Sequence, residues 1–226
     1  MKNHIKTLCA VAILAAANQA AAESFQLGVT GNLAPTACTP LIDNNGTVDY
    51  GAIKSDSLSK DEYNILPEKN INLNISCDAP TKVALRAISE RKGSALVSNT
   101  EGGSGAGTPL ISLGKSSVGA VGFGMDGENK IGAYSILFDN LIHDGVESNG
   151  IWSGDQVSWS GTSSLFNMYG YNRYVTIRDG SLNAPVAFTN ATFPLIIKGY
   201  INKASELDIS KPIKLDGLTN IEMVYL

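Results

Sequence analysis

Few side chains in this 226-residue sequence are of the types that carry out covalent, acid–base or metal chemistry. It contains three cysteines, Cys9, Cys38 and Cys77, and two histidines, His4 and His143. Serine nucleophiles commonly need a histidine base, and no serine here lies in a Gly-x-Ser-x-Gly turn. His143 has polar flanks typical of a surface loop. We therefore predict that the protein is not an enzyme and that it has no metal site and no cofactor.

Two further motifs only partly match known ligand sites. Gly102–Gly107 is rich in glycine but lacks the Lys-Ser/Thr pair that follows a phosphate-binding loop. Asp126–Asn129 carries oxygen ligands without the spacing of a calcium loop. We predict an exposed loop at the first and a hairpin turn at the second.

The N-terminus has the order of a secretory signal peptide. Lys2 and Lys6 precede an apolar stretch, and the small-residue run Ala20–Ala22 fits a cleavage site. We predict a signal peptide over residues 1–22 and export to the periplasm or cell surface. The apolar stretch is shorter than the ~20 residues of a spanning helix, so we expect no integral membrane segment in the mature chain.

Cysteine usage after export predicts a disulfide. Cys9 leaves with the signal peptide, and Cys38 and Cys77 remain as an even number in an oxidising compartment. Such cysteines normally pair. The alternative interpretation is two free thiols.

Charge argues against two classes of partner. The net charge is −4, and removal of Lys2 and Lys6 makes the mature chain more negative. An acidic chain without a basic stripe does not favour nucleic acid or an anionic membrane surface.

The elements that must position these residues are short strands. Ile71, Leu73, Ile75 and Cys77 alternate with polar residues, the period-2 pattern of a half-buried strand. Similar segments recur between turn signals, with a short edge strand at Thr47–Ile53 and another strand at Lys211–Leu215. We predict an all-β, immunoglobulin-like antiparallel β-sandwich that forms a single domain over residues 23–226.

A polar segment, Asp144–Ser164, carries two tryptophans and is predicted to be a loop. Exposed Trp152 and Trp159 could stack on a sugar or anchor a partner. The alternative is that they pack the loop onto the sandwich.

Both ends of the mature chain alternate apolar and polar residues. An exposed apolar terminal strand is a handle for strand addition by another chain. The alternative is that both are ordinary interior strands. The N-terminal strand comprises Phe25, Leu27, Val29 and Leu33, and the C-terminal strand comprises Ile221, Met223 and Tyr225.

The signal peptide, the apolar alternation ending at Cys38, the second cysteine at Cys77 and the penultimate Tyr225 together resemble subunits of chaperone–usher pili. The segments 35–80 and 215–226 also resemble a poorly characterised gammaproteobacterial family of exported, fimbrial-like or periplasmic proteins. The pilus resemblance implies a pilin-type sandwich that lacks its last strand. A periplasmic chaperone and then a neighbouring pilus subunit would supply that strand. Ile221, Met223 and Tyr225 would form the strand that the chaperone recognises, and the Cys38–Cys77 bridge would be required for its binding.

One feature departs from the pilus pattern. Only residues 23–37 precede Cys38, which leaves room for one strand. If Phe25–Leu33 is the domain's own first strand, no segment remains to be donated. Three functions follow as hypotheses: a structural, tip or accessory fimbrial subunit acting in adhesion or surface organisation; a self-contained periplasmic protein with a binding role; or a lectin-like adhesin that binds a host glycan through Trp152 and Trp159.

Overall fold

The computed structural model describes residues 37–97, 119–165 and 172–226, together with Gly28 and Glu101. The predicted signal peptide and, apart from Gly28, the predicted strand at Phe25–Leu33 lie outside these residues, as does the whole glycine-rich segment Gly102–Gly107. The described part forms fifteen β-strands and three short 3₁₀-helices. The strands are β1 Cys38–Ile42, β2 Asn64–Ile65, β3 Lys69–Thr81, β4 Val83–Ser89, β5 Val121–Gly122, β6 Met125–Asp126, β7 Asn129–Lys130, β8 Gly132–Phe138, β9 Leu141–His143, β10 Val146–Ser148, β11 Gly150–Ser153, β12 Ser160–Thr162, β13 Tyr174–Ile177, β14 Phe188–Ile201 and β15 Thr219–Tyr225. The helices are Asp43–Gly46, Ser55–Ser57 and Ala204–Glu206.

The strands form two main sheets. The larger sheet has the order β1-β3-β14-β8-β5, with β2 and β9 also paired to β14 and β10 paired to β9. The smaller sheet has the order β12-β11-β13-β4-β15. Pairing within both is antiparallel. The predicted all-β antiparallel sandwich is confirmed.

Residue alternation explains which face of each sheet is buried. In β3 the apolar side chains Ile71, Leu73 and Ile75 are buried, while the intervening positions are half-buried or exposed. β14 lies antiparallel to β3 with Phe193 opposite Leu73 and Leu195 opposite Ile71. Because opposite residues share a face, the two strands present one continuous apolar surface to the other sheet.

The two inner faces meet in one large hydrophobic core. Its members come from both sheets and from the segments that connect them. Side chains with almost no exposed surface include Ile75, Leu85, Phe138, Phe188, Phe193 and Ile177.

The predicted disulfide between Cys38 and Cys77 is present, with the two residues opposite each other in the β1–β3 pair. Both cysteines are buried on the core side. The bridge therefore fixes β1, an edge strand, to β3. On a chain-entropy estimate, closing a loop of this length contributes about 4 kcal/mol.

Three predicted segments differ in the structure. Thr47–Ile53 and Lys211–Leu215 are not strands. Their alternation reflects side chains such as Val48 and Leu215 that pack on the core without ladder pairing. The segment Asp144–Ser164 is not a loop throughout, because it contains β10, β11 and β12. Its turn-rich composition conceals strands of three or four residues.

Candidate functional site

The last strand, β15, is an edge of the smaller sheet. It pairs with β4 along its whole length, from Thr219 opposite Ser89 to Tyr225 opposite Val83. No described strand pairs with its other side. A strand edge of this kind presents backbone N–H and C=O groups to any further strand that approaches.

A deep groove lies between β15 and β1, the edge strand of the larger sheet. It has a volume of about 500 Å³, and we call it the β1–β15 groove. Its floor consists of buried core residues of both sheets, and its rim consists of half-buried or exposed residues. The floor includes Leu73, Leu85, Ile136, Leu195 and Ile197, and the rim includes Pro40, Ile42, Ile221 and Met223.

The apolar lining continues into a neighbouring cavity of about 810 Å³. Val48, Tyr50 and Leu215 line both cavities. The walls of the second cavity come from residues 48–58 and 207–215, the parts of the chain that are extended or irregular in the structure. The two cavities are therefore neighbours on the side of the sandwich, with these three residues lining both.

Three aromatic rings form the middle of the groove. Phe123 stacks on Tyr134 with ring centroids 4.9 Å apart, and Tyr50 meets Phe123 edge-on at 6.4 Å. Gly217 lies against them, since a Cβ atom there would be only 2.7 Å from Tyr134 Cε1. The absence of a side chain at Gly217 allows this close packing.

The tyrosine hydroxyls of this cluster have different surroundings. The hydroxyl groups of Tyr134 and Thr219 are hydrogen-bonded at 2.7 Å, which ties β8 to the start of β15. The Tyr50 hydroxyl is buried and has no hydrogen-bond partner among the described residues. Burial raises the pKa of both tyrosines to about 12, so both stay neutral at physiological pH.

The C-terminal residues named from the sequence all lie on β15. Ile221 and Met223 line the groove and pack against the core. Tyr225 is 48% exposed, and its hydroxyl accepts a hydrogen bond from the Cys38 backbone N–H at 2.8 Å. The beginning of β1 is thereby held at the end of β15.

The two tryptophans lie on the β11–β12 hairpin in different environments. Trp159 is 9% exposed and packs in a small cluster with Ala84 and Ile151. Trp152 is half-buried, and the Arg173 guanidinium lies 4.6 Å from the centre of one of its rings. A shallow depression beside Trp152 is lined by Asp155, Ser158, Ser160 and Asn172.

Arg173 was not identified from the sequence. It is 7% exposed, and its Nε has no hydrogen-bond partner among the described residues. Burial lowers its pKa to about 9. The Trp152 ring attracts the guanidinium cation, and this attraction offsets part of the free energy that is lost when the charge is removed from water.

The other candidate residues do not form a reactive cluster. His143 ends β9 and pairs with Ala191 of β14. The turn at Asp126–Asn129 joins the short strands β6 and β7, as predicted. The described parts of the chain contain no group of three or more metal-ligating side chains, and no helix there is long and apolar enough to cross a membrane.

The aromatic centre of the groove was also missed from the sequence. Tyr50, Phe123 and Tyr134 come from separate segments, so no local pattern connects them. The available signal was the alternation of Val48 and Tyr50, which indicated one buried face but not what that face covers.

Comparison with known proteins identifies relatives along nearly the whole chain. Residues 27–135 match the model of a family described as "Protein of unknown function (DUF1120)". The chain is 32% identical to Protein GltF of Escherichia coli (strain K12), over 97% of this chain and 96% of that protein. It is 29% identical to Uncharacterized protein YhcF of the same organism, over 99% of this chain and 100% of that protein.

Proposed function

The chain belongs to the same family as Protein GltF, and we propose that it is a fimbrial-like subunit that binds a β-strand of another protein in the β1–β15 groove. In this proposal a periplasmic chaperone supplies the strand first. A neighbouring subunit replaces it during assembly at an usher. The chain then serves as a structural, tip or accessory subunit in adhesion or surface organisation.

The observation that carries the proposal is the position of β15. It is an edge strand whose apolar side chains Ile221 and Met223 face a deep apolar groove. A strand added to this edge would form backbone hydrogen bonds with β15, and its alternate side chains would enter the groove. The geometry supports recognition of an extended peptide with apolar residues at every second position.

The expected energetics favour such an occupant. Each large apolar side chain transferred from water into the groove contributes roughly 1.5–3 kcal/mol. The Tyr50 hydroxyl, buried without a partner among the described residues, adds a polar group that an occupant could satisfy. Affinity would depend mainly on how many alternate positions are apolar.

The disulfide supports the location that the proposal requires. Cys38–Cys77 is a bond of the kind that forms and persists in oxidising compartments such as the periplasm. It also fixes β1, one wall of the groove, to β3. Formation of the bridge should therefore precede strand binding.

The proposal is tested by measuring the complex between the exported chain and a periplasmic pilus chaperone. We expect a one-to-one complex in size-exclusion chromatography and a higher thermal midpoint for the chain, because binding to the folded state stabilises it. If saturating chaperone forms no complex and leaves the midpoint unchanged, the fimbrial proposal is wrong. A self-contained periplasmic binding protein would then be the better interpretation.

Sugar binding through the tryptophans has weaker support. Trp159 packs in the interior and offers no ring face to a glycan, which leaves Trp152 above a shallow polar depression. Substitution of Trp152 by Ala should abolish glycan binding without unfolding the protein if this alternative is right. A lack of glycan binding by the unsubstituted chain would remove it.

A further inference from the structure

The unpaired edge of β15 is formed by the backbone groups of its odd-numbered residues. The Glu90 N–H donates to the Leu218 carbonyl at 2.9 Å, and the Leu226 N–H donates to the Lys82 carbonyl at 3.1 Å. Successive residues of a strand direct their backbone groups to opposite sides, so the even-numbered residues are the ones that bond to β4. The odd-numbered residues therefore direct their N–H and C=O groups to the side on which no described strand pairs with β15.

The chain that precedes β15 keeps this alternation. The Asp216 N–H donates to the Phe123 carbonyl at 2.8 Å, and the Asp216 carbonyl accepts from Arg91 Nε at 3.0 Å. Because Arg91 lies just beyond the end of β4, even-numbered Asp216 is bonded on the β4 side, like the even-numbered residues of β15. Leu215 and Gly217 form no backbone hydrogen bond with any described residue.

Side chains before β15 follow the same period of two. Ile213 and Leu215 are half-buried and pack against the core, whereas the Lys214 side chain is 86% exposed. Pro212 has no N–H, but it is even-numbered, so the missing donor falls on the side away from the unpaired edge. Residues 213–217 thus continue the unpaired edge of β15 in phase, in their backbone groups and in their apolar side chains.

The second cavity has a further wall without a ladder partner. Val48 and Tyr50 are half-buried and line both cavities. The backbone groups of residues 48–53 form no hydrogen bond with the backbone of any other described residue. Two stretches of chain with unpaired backbone groups therefore line the same apolar cavity.

We propose that the partner strand continues past β15 along Leu215 and Ile213, so that one strand fills both cavities. Residues 213–225 span about 40 Å, against about 23 Å for β15 alone, at ~3.3 Å per residue. The segment that is recognised then has about 13 residues, with apolar side chains at alternate positions along its whole length.

This inference rests on the proposed function and adds the length and pattern of the strand that the groove binds. Val48, Tyr50 and Leu215 line both cavities, so an occupant of the first cavity reaches the walls of the second. A continuing strand would bury apolar side chains there and would give the unpaired backbone groups hydrogen-bond partners. A small apolar molecule, the competing occupant, would leave those backbone groups unpaired.

Amide hydrogen exchange tests the inference on the unsubstituted exported chain, free and bound to a periplasmic pilus chaperone. We expect exchange at Ile213 and Leu215, followed by NMR spectroscopy, to slow by at least ~10-fold in the complex, because their N–H groups gain ladder hydrogen bonds. The Lys214 N–H points to the other side and is the internal control, so its exchange should stay fast.

Three exchange results would overturn the inference. Protection that stops at Thr219 in a complex that forms would mean that the partner strand ends with β15, and the proposed function would stand. Equal protection of Lys214 and Leu215 would mean that the segment is covered without ladder pairing. Absence of any complex would contradict the proposed function and this inference together.

A pair of variants measures the contribution of the second cavity to affinity. We expect Ile213→Gln to weaken chaperone binding by at least ~10-fold, because an apolar contact in the cavity is lost. Lys214→Gln is the matched control, and its affinity should change by less than about twofold. Equal affinities of the two variants in isothermal titration calorimetry would contradict the inference. If Ile213→Gln does not fold, the exchange measurement on the unsubstituted chain decides.

Discussion

Met223 and Val224 are neighbours on β15 that face opposite sides of the smaller sheet. Met223 lines the β1–β15 groove, whereas alternation along the strand turns Val224 away from it. The pair allows the same substitution to be placed on the two faces of one strand. Any difference between the two variants then reports on the groove and not on β15 as a whole.

We predict that Met223→Glu weakens chaperone binding by at least ~10-fold, because the added strand would bury an unpaired carboxylate. Val224→Glu should change the affinity by less than about twofold, since position 224 does not line the groove. Isothermal titration calorimetry of both variants measures the effect. Equal losses in both would show that the chaperone does not cover the groove face of β15.

Gly217 should be intolerant of a side chain. We predict that Gly217→Ala lowers the free energy of unfolding by about 1–3 kcal/mol, because its Cβ would overlap the Tyr134 ring. Gly161→Ala is the matched control, as no atom lies within 4 Å of the added Cβ, and it should be nearly neutral. Urea unfolding of the two variants measures both free energies of unfolding and so tests the prediction. A neutral Gly217→Ala would mean that the ring cluster is loosely packed.

The buried tyrosines predict a loss of stability at high pH. Their folded-state pKa of about 12 lies above the unfolded value of 10.0, so at alkaline pH the unfolded chain releases protons first. The stabilisation is complete below pH 10 and is lost as the pH rises towards 12. Urea unfolding from pH 9 to pH 12 should show a falling free energy of unfolding, with a smaller fall in Tyr134→Phe. If the free energy of unfolding of Tyr134→Phe fell with pH as steeply as that of the unsubstituted chain, the raised pKa of Tyr134 would be contradicted.

The environment of a single residue was predictable from the sequence where its chemistry allows few partners. Cys38 and Cys77 pair, as predicted from the expectation that Cys9 is removed with a signal peptide. The alternation around Cys77 correctly put its sulfur on the core side. Arg173 and the aromatic cluster could not be predicted in this way. Their environments depend on segments that are distant in sequence and meet only in the folded sandwich.

At the scale of elements, β1 is held in position by its disulfide to β3 more than by its backbone pairing with β3. β1 is short and has mostly exposed residues, and it pairs with β3 alone among the described strands. The disulfide therefore holds one wall of the groove in place. Loss of the bridge should affect strand binding as well as stability.

We predict that Cys38→Ser/Cys77→Ser lowers the free energy of unfolding by about 2–4 kcal/mol and weakens chaperone binding. The unsubstituted chain, once reduced with dithiothreitol, should behave in the same way, which controls for the substitutions themselves. Denaturant unfolding and calorimetry provide the two measurements. Full chaperone affinity in the reduced chain would mean that β1 is not needed as a wall of the groove.

The sequence predicted that β15 is a strand with Ile221, Met223 and Tyr225 on one side, and its pattern left open whether that strand is an edge or an interior strand. Alternation reports which residues are buried and does not report which strands are neighbours. The same reason explains the errors at Thr47–Ile53 and Lys211–Leu215. Both segments bury alternate side chains beside the groove and lack a ladder partner among the described strands.

On the scale of the whole molecule, the described part of the sandwich has an apolar groove between the edge strands β1 and β15. We propose that this groove binds an extended apolar strand of another protein. The central claim is therefore that a partner strand lies along β15.

The most direct test is site-specific photo-cross-linking from β15 to the chaperone. A photoreactive amino acid at position 223 should cross-link to the chaperone strand, whereas the same group at position 224, or at Ser160 on the opposite edge of the sheet, should not. Cross-linking from Ser160 but not from position 223 would contradict the account, because it would place the partner on the wrong edge of the sheet.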